Sequence, residues 1–207
     1  MSSERIVPMS PERPGSEVLL MVKEVTFPAG PRVFGPISLR AGRKEIVGVL
    51  GPRGAGKASL LRAIAGEARI SGGEILIGRT SITCSSKAQR KEAGMWVCMR
   101  DRRRWGAKRS TLEIVGAAIA AGSQLLLVEE PLESLPTAVS RAAMVAMLKA
   151  SRDAGLGVLI TASEVRTTLD LVDRAYIVSE GRVLVEGTPE YLCSDRRDIE
   201  PPPGEAA

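Results

Sequence analysis

Residues 45–66 carry the feature that most constrains the fold. Glu45-Ile46-Val47-Gly48-Val49-Leu50 is a short apolar run suited to a buried parallel strand. It leads directly into Gly51-Pro52-Arg53-Gly54-Ala55-Gly56-Lys57, and then into Leu60, Leu61 and Ile64, which share one helical face before Gly66 ends the pattern. Strand, glycine-rich bend, lysine and helix in that order read as a phosphate-binding (Walker A, or P-loop) segment. Glycines let successive N–H groups turn inward toward phosphate oxygens, and Lys57 adds a positive charge there. A helix starting at about Ala58 aims its positive dipole end at the same anions. The candidate nucleotide-binding residues are therefore Gly51, Pro52, Arg53, Gly54, Ala55, Gly56, Lys57, Ala58 and Ser59. The plain alternative is a glycine-rich turn that holds no ligand.

The pattern departs at Ala58, where such a loop carries the Ser or Thr that binds magnesium. Magnesium takes one or two protein ligands plus phosphates and water. Ala58 offers no oxygen, and Ser59 is one residue late, so a rotation of about 100° points its hydroxyl elsewhere. The expectation is ATP bound with Mg2+ weakly held, if at all.

The chain has 207 residues, which suits one domain with a sizeable core. It is 44% hydrophobic but only 3% aromatic, so that core is aliphatic, as in α/β layer folds. The longest mostly apolar stretch, Ile114–Val128, is too short and too interrupted to span a bilayer. Cys84, Cys98 and Cys193 lack metal or redox spacing and fit reduced thiols, and the absence of histidine excludes imidazole chemistry. The net charge of +5 is concentrated in residues 100–109, RDRRRWGAKR. This loop reads as a solvated basic segment, as a nucleic-acid contact in which Trp105 stacks on a base, or as a contact for an anionic membrane or acidic partner.

Residues 1–17 and 194–207 read as disordered tails flanking one domain at 18–193. Residues 18–50 predict two or three short strands turning at Gly30-Pro31 and Ala41-Gly42. Further strands are expected at 74–77, 95–98, 125–128 and 158–161, and helices at 111–121, 137–154 and 165–172. A closing hairpin turns through Glu180-Gly181. Alternating strands and helices predict a largely parallel sheet covered on both faces. Glu129 and Glu130 follow a buried strand at its carboxyl edge, where α/β proteins bind ligands.

Together these segments resemble the nucleotide-binding subunits of ATP-binding cassette (ABC) transporters over about residues 18–193. LLLVEEP at 125–131 is similar to the family's acidic motif, GMWVCMRDRRRWG at 94–106 to a stretch of sugar-importer cassettes, and residues 159–192 to the end of such a domain. The resemblance implies an α/β P-loop NTPase with a RecA-like core, a mostly parallel sheet with helices on both faces, and N-terminal antiparallel strands. It implies that Glu129 holds the magnesium shell and that Glu130 orients or deprotonates the attacking water, and it places Phe27 where an aromatic stacks on adenine, an ordinary strand aromatic being the equal alternative there. It also implies a cytoplasmic protein at the inner face of the cell membrane, with a second, intact ABC ATPase subunit and a membrane permease as partners.

Departures from the family pattern cluster at the chemistry. The residue that reaches metal and water falls on Met99 or Arg100, the switch histidine aligns with Ala162, and Gly-Leu-Asp after the acidic motif reads Ser134-Leu135-Pro136. The signature sequence would fall on Trp105-Gly106-Ala107-Lys108-Arg109, so the helical subdomain is largely absent. The expected activity is nucleotide binding with weak or no hydrolysis. A non-catalytic scaffold or regulator is the alternative, with nucleic-acid binding through residues 100–109 ranked behind it.

Overall fold

In the computed structural model, residues 17–30, 32–99, 111–133 and 135–194 are described. Both tails and the basic loop lie outside them, as do Arg100, Ser134 and positions 105–109, where the signature is expected to fall. The central element is a six-stranded sheet of order β10-β9-β3-β8-β7-β6. Here β3 is Ile46–Leu50, β6 Met95–Cys98, β7 Leu125–Glu129, β8 Gly157–Ala162, β9 Arg174–Ser179 and β10 Arg182–Gly187. The strands from β9 to β6 run parallel, and β10 folds back antiparallel as an edge hairpin.

Continuous apolar runs occupy β3, β7 and β8 because both faces of the sheet are covered. Along β7, Leu125 and Leu127 face one core, and Leu126 and Val128 face the other. The second core is closed by α3 (Thr111–Ala120), α4 (Ala138–Asp153), the short α5 (Val165–Leu169) with the residues just after it, and α6 (Pro189–Ser194). The first core holds α1 (Lys57–Ile64), which inserts Leu60, Leu61 and Ile64 against a second sheet. That sheet is antiparallel, of order β2-β1-β4-β5, with β1 at Val18–Ala29, β2 at Arg32–Gly42, β4 at Gly72–Ile77 and β5 at Thr80–Ser81.

The two sheets are tied by a buried polar cluster. Arg174 donates from Nε to Glu45 at 2.9 Å, from Nη2 to the Arg40 carbonyl at 2.9 Å, and from Nη1 to Glu186 and the Tyr176 hydroxyl. Burial, together with the Glu186 carboxylate, pushes the Tyr176 phenol up to about 12.

Between the strands expected at 74–77 and 95–98 lies a helix the sequence does not signal, α2 (Lys87–Glu92). It has no apolar stripe and starts from a capping box made by Ser86 and Gln89. Its Arg90 is buried and donates to the carbonyls of Ala63 and Ile64, closing the end of α1. Between β6 and α3 the chain has only residues 99–110, which leaves no room for a helical subdomain there. No helix among the described residues is long and apolar enough to cross a membrane.

Candidate nucleotide site

The parallel sheet brings the ends of β3, β7 and β8 to one edge, and the candidate residues gather there. Gly51 leaves β3 with its N–H on the Ala162 carbonyl at 3.2 Å, so close to β9 that a Cβ would run into the Val178 carbonyl. Gly56 caps α1 in a left-handed conformation, φ 95°. A Cβ at Gly56 would sit 2.8 Å from Phe34 Cε2 and closer still to Cδ2. Gly51 and Gly56 thus let the bend pack tightly on β9 and on the Phe34 ring, and the first N–H groups of α1 open out of its end. Pro52, Arg53 and Gly54 form its exposed rim, while Ala55 points into the core.

Lys57 is only 5% exposed. Its ammonium donates to the Gly51 carbonyl at 2.7 Å, the Pro52 carbonyl at 2.9 Å and the Ser163 hydroxyl at 3.2 Å. Burial holds its pKa below the usual lysine value; Glu130 and Glu133 work against that shift, and Arg53 adds slightly to it. Ala58 and Ser59 are half-buried in the first turn of α1.

Glu129 ends β7 buried, while Glu130 turns out of the strand at φ 45°. Non-glycine residues avoid that region, so the position stores strain of roughly 1–3 kcal/mol. Two bonds from the Glu130 N–H hold it, to the Thr161 carbonyl at 3.1 Å and the Thr161 hydroxyl at 3.2 Å. Ser163 bridges the edge: its hydroxyl accepts from Lys57 and donates to Glu130 at 3.3 Å, and its N–H donates to Glu133.

Three sequence expectations change. Phe27 is fully buried and meets Phe34 edge-on, with ring centroids 6.1 Å apart, so neither of its faces is open to a base. Ala162 ends β8 in the core, and the side chain that reaches Lys57 and Glu130 is Ser163, one residue later. Met99 packs against the first core. Ser163 and Glu133 were missed. Their sequence signal was position alone, just beyond the buried strands β8 and β7.

Among the described residues no group of three or more acidic or cysteine side chains could hold a metal ion. At the bend itself, Ala58 contributes only a methyl group.

The ABC transporter family model matches residues 34–102. The lipopolysaccharide export system ATP-binding protein LptB of Haemophilus influenzae is 30% identical over 80% of this chain and 88% of its own length. The chain belongs to the ABC transporter ATP-binding family. LptB of Escherichia coli K12 and a probable ABC transporter ATP-binding protein of Azorhizobium caulinodans are each 29% identical, over 80% of this chain and 88% and 75% of their own lengths. The ABC match to H. influenzae LptB runs over 216 positions, more than the whole of this chain, so the relative carries residues with no counterpart here. ABC cassettes also share the fold. An ADP-bound cassette superimposes with a TM-score of 0.76 at 13% identity, over 88% of this chain and 97% of its own. A nucleotide-free cassette gives 0.77 at 14%, over 88% and 98%.

Proposed function

We propose that this chain is a nucleotide-binding subunit of an ABC-type transport complex that binds ATP at residues 51–59 and hydrolyses it weakly or not at all. The observation that carries the reading is the glycine bend from β3 into the uncapped start of α1, with the buried Lys57 ammonium seated on its carbonyls. An ammonium seated on two carbonyls and a hydroxyl has only neutral acceptors, and phosphate oxygens are stronger ones. Lys57 exchanges those seats for the phosphate tail when nucleotide enters, and the amides of the bend take the remaining oxygens.

Glu129 would hold magnesium through water, and the ion would supply charge to neutralise phosphate oxygens. With Ala58 in place of a hydroxyl, that ion would be weakly held. Glu130 is the candidate to orient or deprotonate a water, with Ser163 donating to its carboxylate. The segment that would supply the family signature is missing, so turnover requires an intact partner cassette. With its permease, such a pair would work at the cytoplasmic face of the membrane.

Equilibrium dialysis with labelled ATP, with and without magnesium, tests the reading. Saturable binding that falls at least about tenfold in Lys57→Met supports it. Absence of saturable binding refutes it and leaves a scaffold that keeps the fold alone.

A further inference from the structure

We infer that the site reads the polyphosphate and not the base: any nucleoside triphosphate, and inorganic tripolyphosphate itself, is its ligand. The inference rests on the nucleotide-site reading above and turns on where the chain's few aromatic rings go.

The β1–β2 hairpin stands beside the phosphate bend, because the Phe34 ring packs under Gly56. Its register pairs Phe27 with Phe34 and Pro28 with Val33. Successive residues of a strand point to opposite faces. The aromatic pair accordingly turns inward, at 0% and 8% exposure, and the outward pair is aliphatic, with Val33 68% exposed. Phe34 packs beneath the bend and Phe27 packs on Phe34, so neither ring is left for a base, and the outward positions 28 and 33 carry proline and valine.

The other described rings are also committed elsewhere. Tyr176 is buried between the sheets. Trp96 lies under the Lys91 ammonium and lines a cavity with Ala65, at the far end of α1 from Lys57. Tyr191 packs on Gly187, which pairs with the start of β9, at the opposite edge of the sheet from the bend. Trp105 is outside the described residues. Stacking a base on a ring strengthens binding roughly ten- to a hundredfold, and among the described residues no ring beside the bend supplies it. What remains is recognition of phosphate by backbone amides and Lys57, which every triphosphate satisfies equally.

The test displaces labelled ATP from the full-length chain at fixed magnesium with ATP, GTP, CTP, inorganic tripolyphosphate and adenosine. The triphosphates and tripolyphosphate should compete within about threefold of one another, and adenosine should not compete. Labelled ATP that binds but is displaced tenfold or more better by ATP than by GTP and tripolyphosphate overturns the inference while leaving the proposed function standing. If neither labelled ATP nor labelled tripolyphosphate binds, both fall. A second variant, Val33→Tyr, places a ring on the outward face and should tighten ATP about tenfold while leaving tripolyphosphate unchanged. No gain, or an equal gain for both, counts against the inference. Trp105→Ala should keep the ratio of ATP to tripolyphosphate affinity, and a loss confined to ATP overturns the inference.

Discussion

Replacing Gly56 by alanine separates two physical demands on the phosphate bend. The first is conformational: φ 95° is left-handed backbone, which costs an L-residue about 1–2 kcal/mol. The second is packing, because the new Cβ would lie 2.8 Å from Phe34 Cε2, and forcing an extra methyl into a packed core costs about 1–3 kcal/mol. Gly56→Ala should therefore lose roughly 2–5 kcal/mol. Gly54 provides the control. Its φ is 83°, but nothing lies within 4 Å of its added Cβ, so Gly54→Ala should lose only the conformational share, about 1–2 kcal/mol. The Phe34 ring is the other arm. In a Phe34→Ala background the packing share disappears, and Gly56→Ala should cost about 1–2 kcal/mol, a coupling of 1 kcal/mol or more. Urea unfolding followed by circular dichroism measures the four variants against the parent protein, and at an m-value of about 2 kcal/mol/M the full effect displaces the midpoint by about 1–2.5 M. Equal costs at Gly54 and Gly56, or a cost at Gly56 that survives loss of the ring, would refute the argument.

Three further outcomes follow from the same edge of the sheet and the cluster behind it. Glu130→Asn should raise stability by roughly 0.5–1 kcal/mol, because asparagine tolerates φ 45° better than glutamate; an unchanged or lower urea midpoint would deny that Glu130 is strained. Lys57→Met should leave the empty protein as stable or more stable, since burial is the main influence on the Lys57 ammonium, yet should abolish the rise in Tm that nucleotide gives; thermal scans with and without ATP decide it. The Tyr176 phenol should ionise near pH 12. Its folded pKa is raised above the ordinary 10, so its contribution to stability is complete below pH 10 and is lost as pH rises from 10 to about 12. Absorbance titration compared with Tyr176→Phe would show this, and ionisation near pH 10 would contradict it.

The parallel sheet and the phosphate bend were legible in the sequence because β3, β7 and β8 are uninterrupted apolar runs and α1 keeps one apolar face. Other elements were hidden for identifiable reasons. Helix α2 is KAQRKE, whose stability comes from a capping box and from Arg90 reaching α1, so a search for an apolar stripe passes over it. The inward turn of Phe27 could not be read from alternation. Lys23 and Glu24 are both exposed, Glu24 takes φ 47°, and the β1–β2 register slips between Val22 and Val25 and again before Phe27. The first slip resets which residues face the core, after which Val25 and Phe27 both point inward. The misplacement at Ala162 has the same scale: one residue at the end of β8 exchanges a core methyl for the Ser163 hydroxyl that meets Lys57 and Glu130.

The Phe34 ring touches more than the phosphate bend. It also fills the space over Gly181, where a Cβ would fall 2.6 Å from Cδ1. The Gly181 N–H bonds the Ala55 carbonyl at 3.1 Å, and the Gly35 N–H bonds the Gly181 carbonyl at 2.9 Å. Three segments distant in the chain therefore hinge on a single aromatic pivot. The phosphate bend and the tip of the β9–β10 hairpin are thereby locked to one another, so a bulky substitution at Gly181 would be felt at residues 51–57 although it lies more than a hundred positions away in the chain.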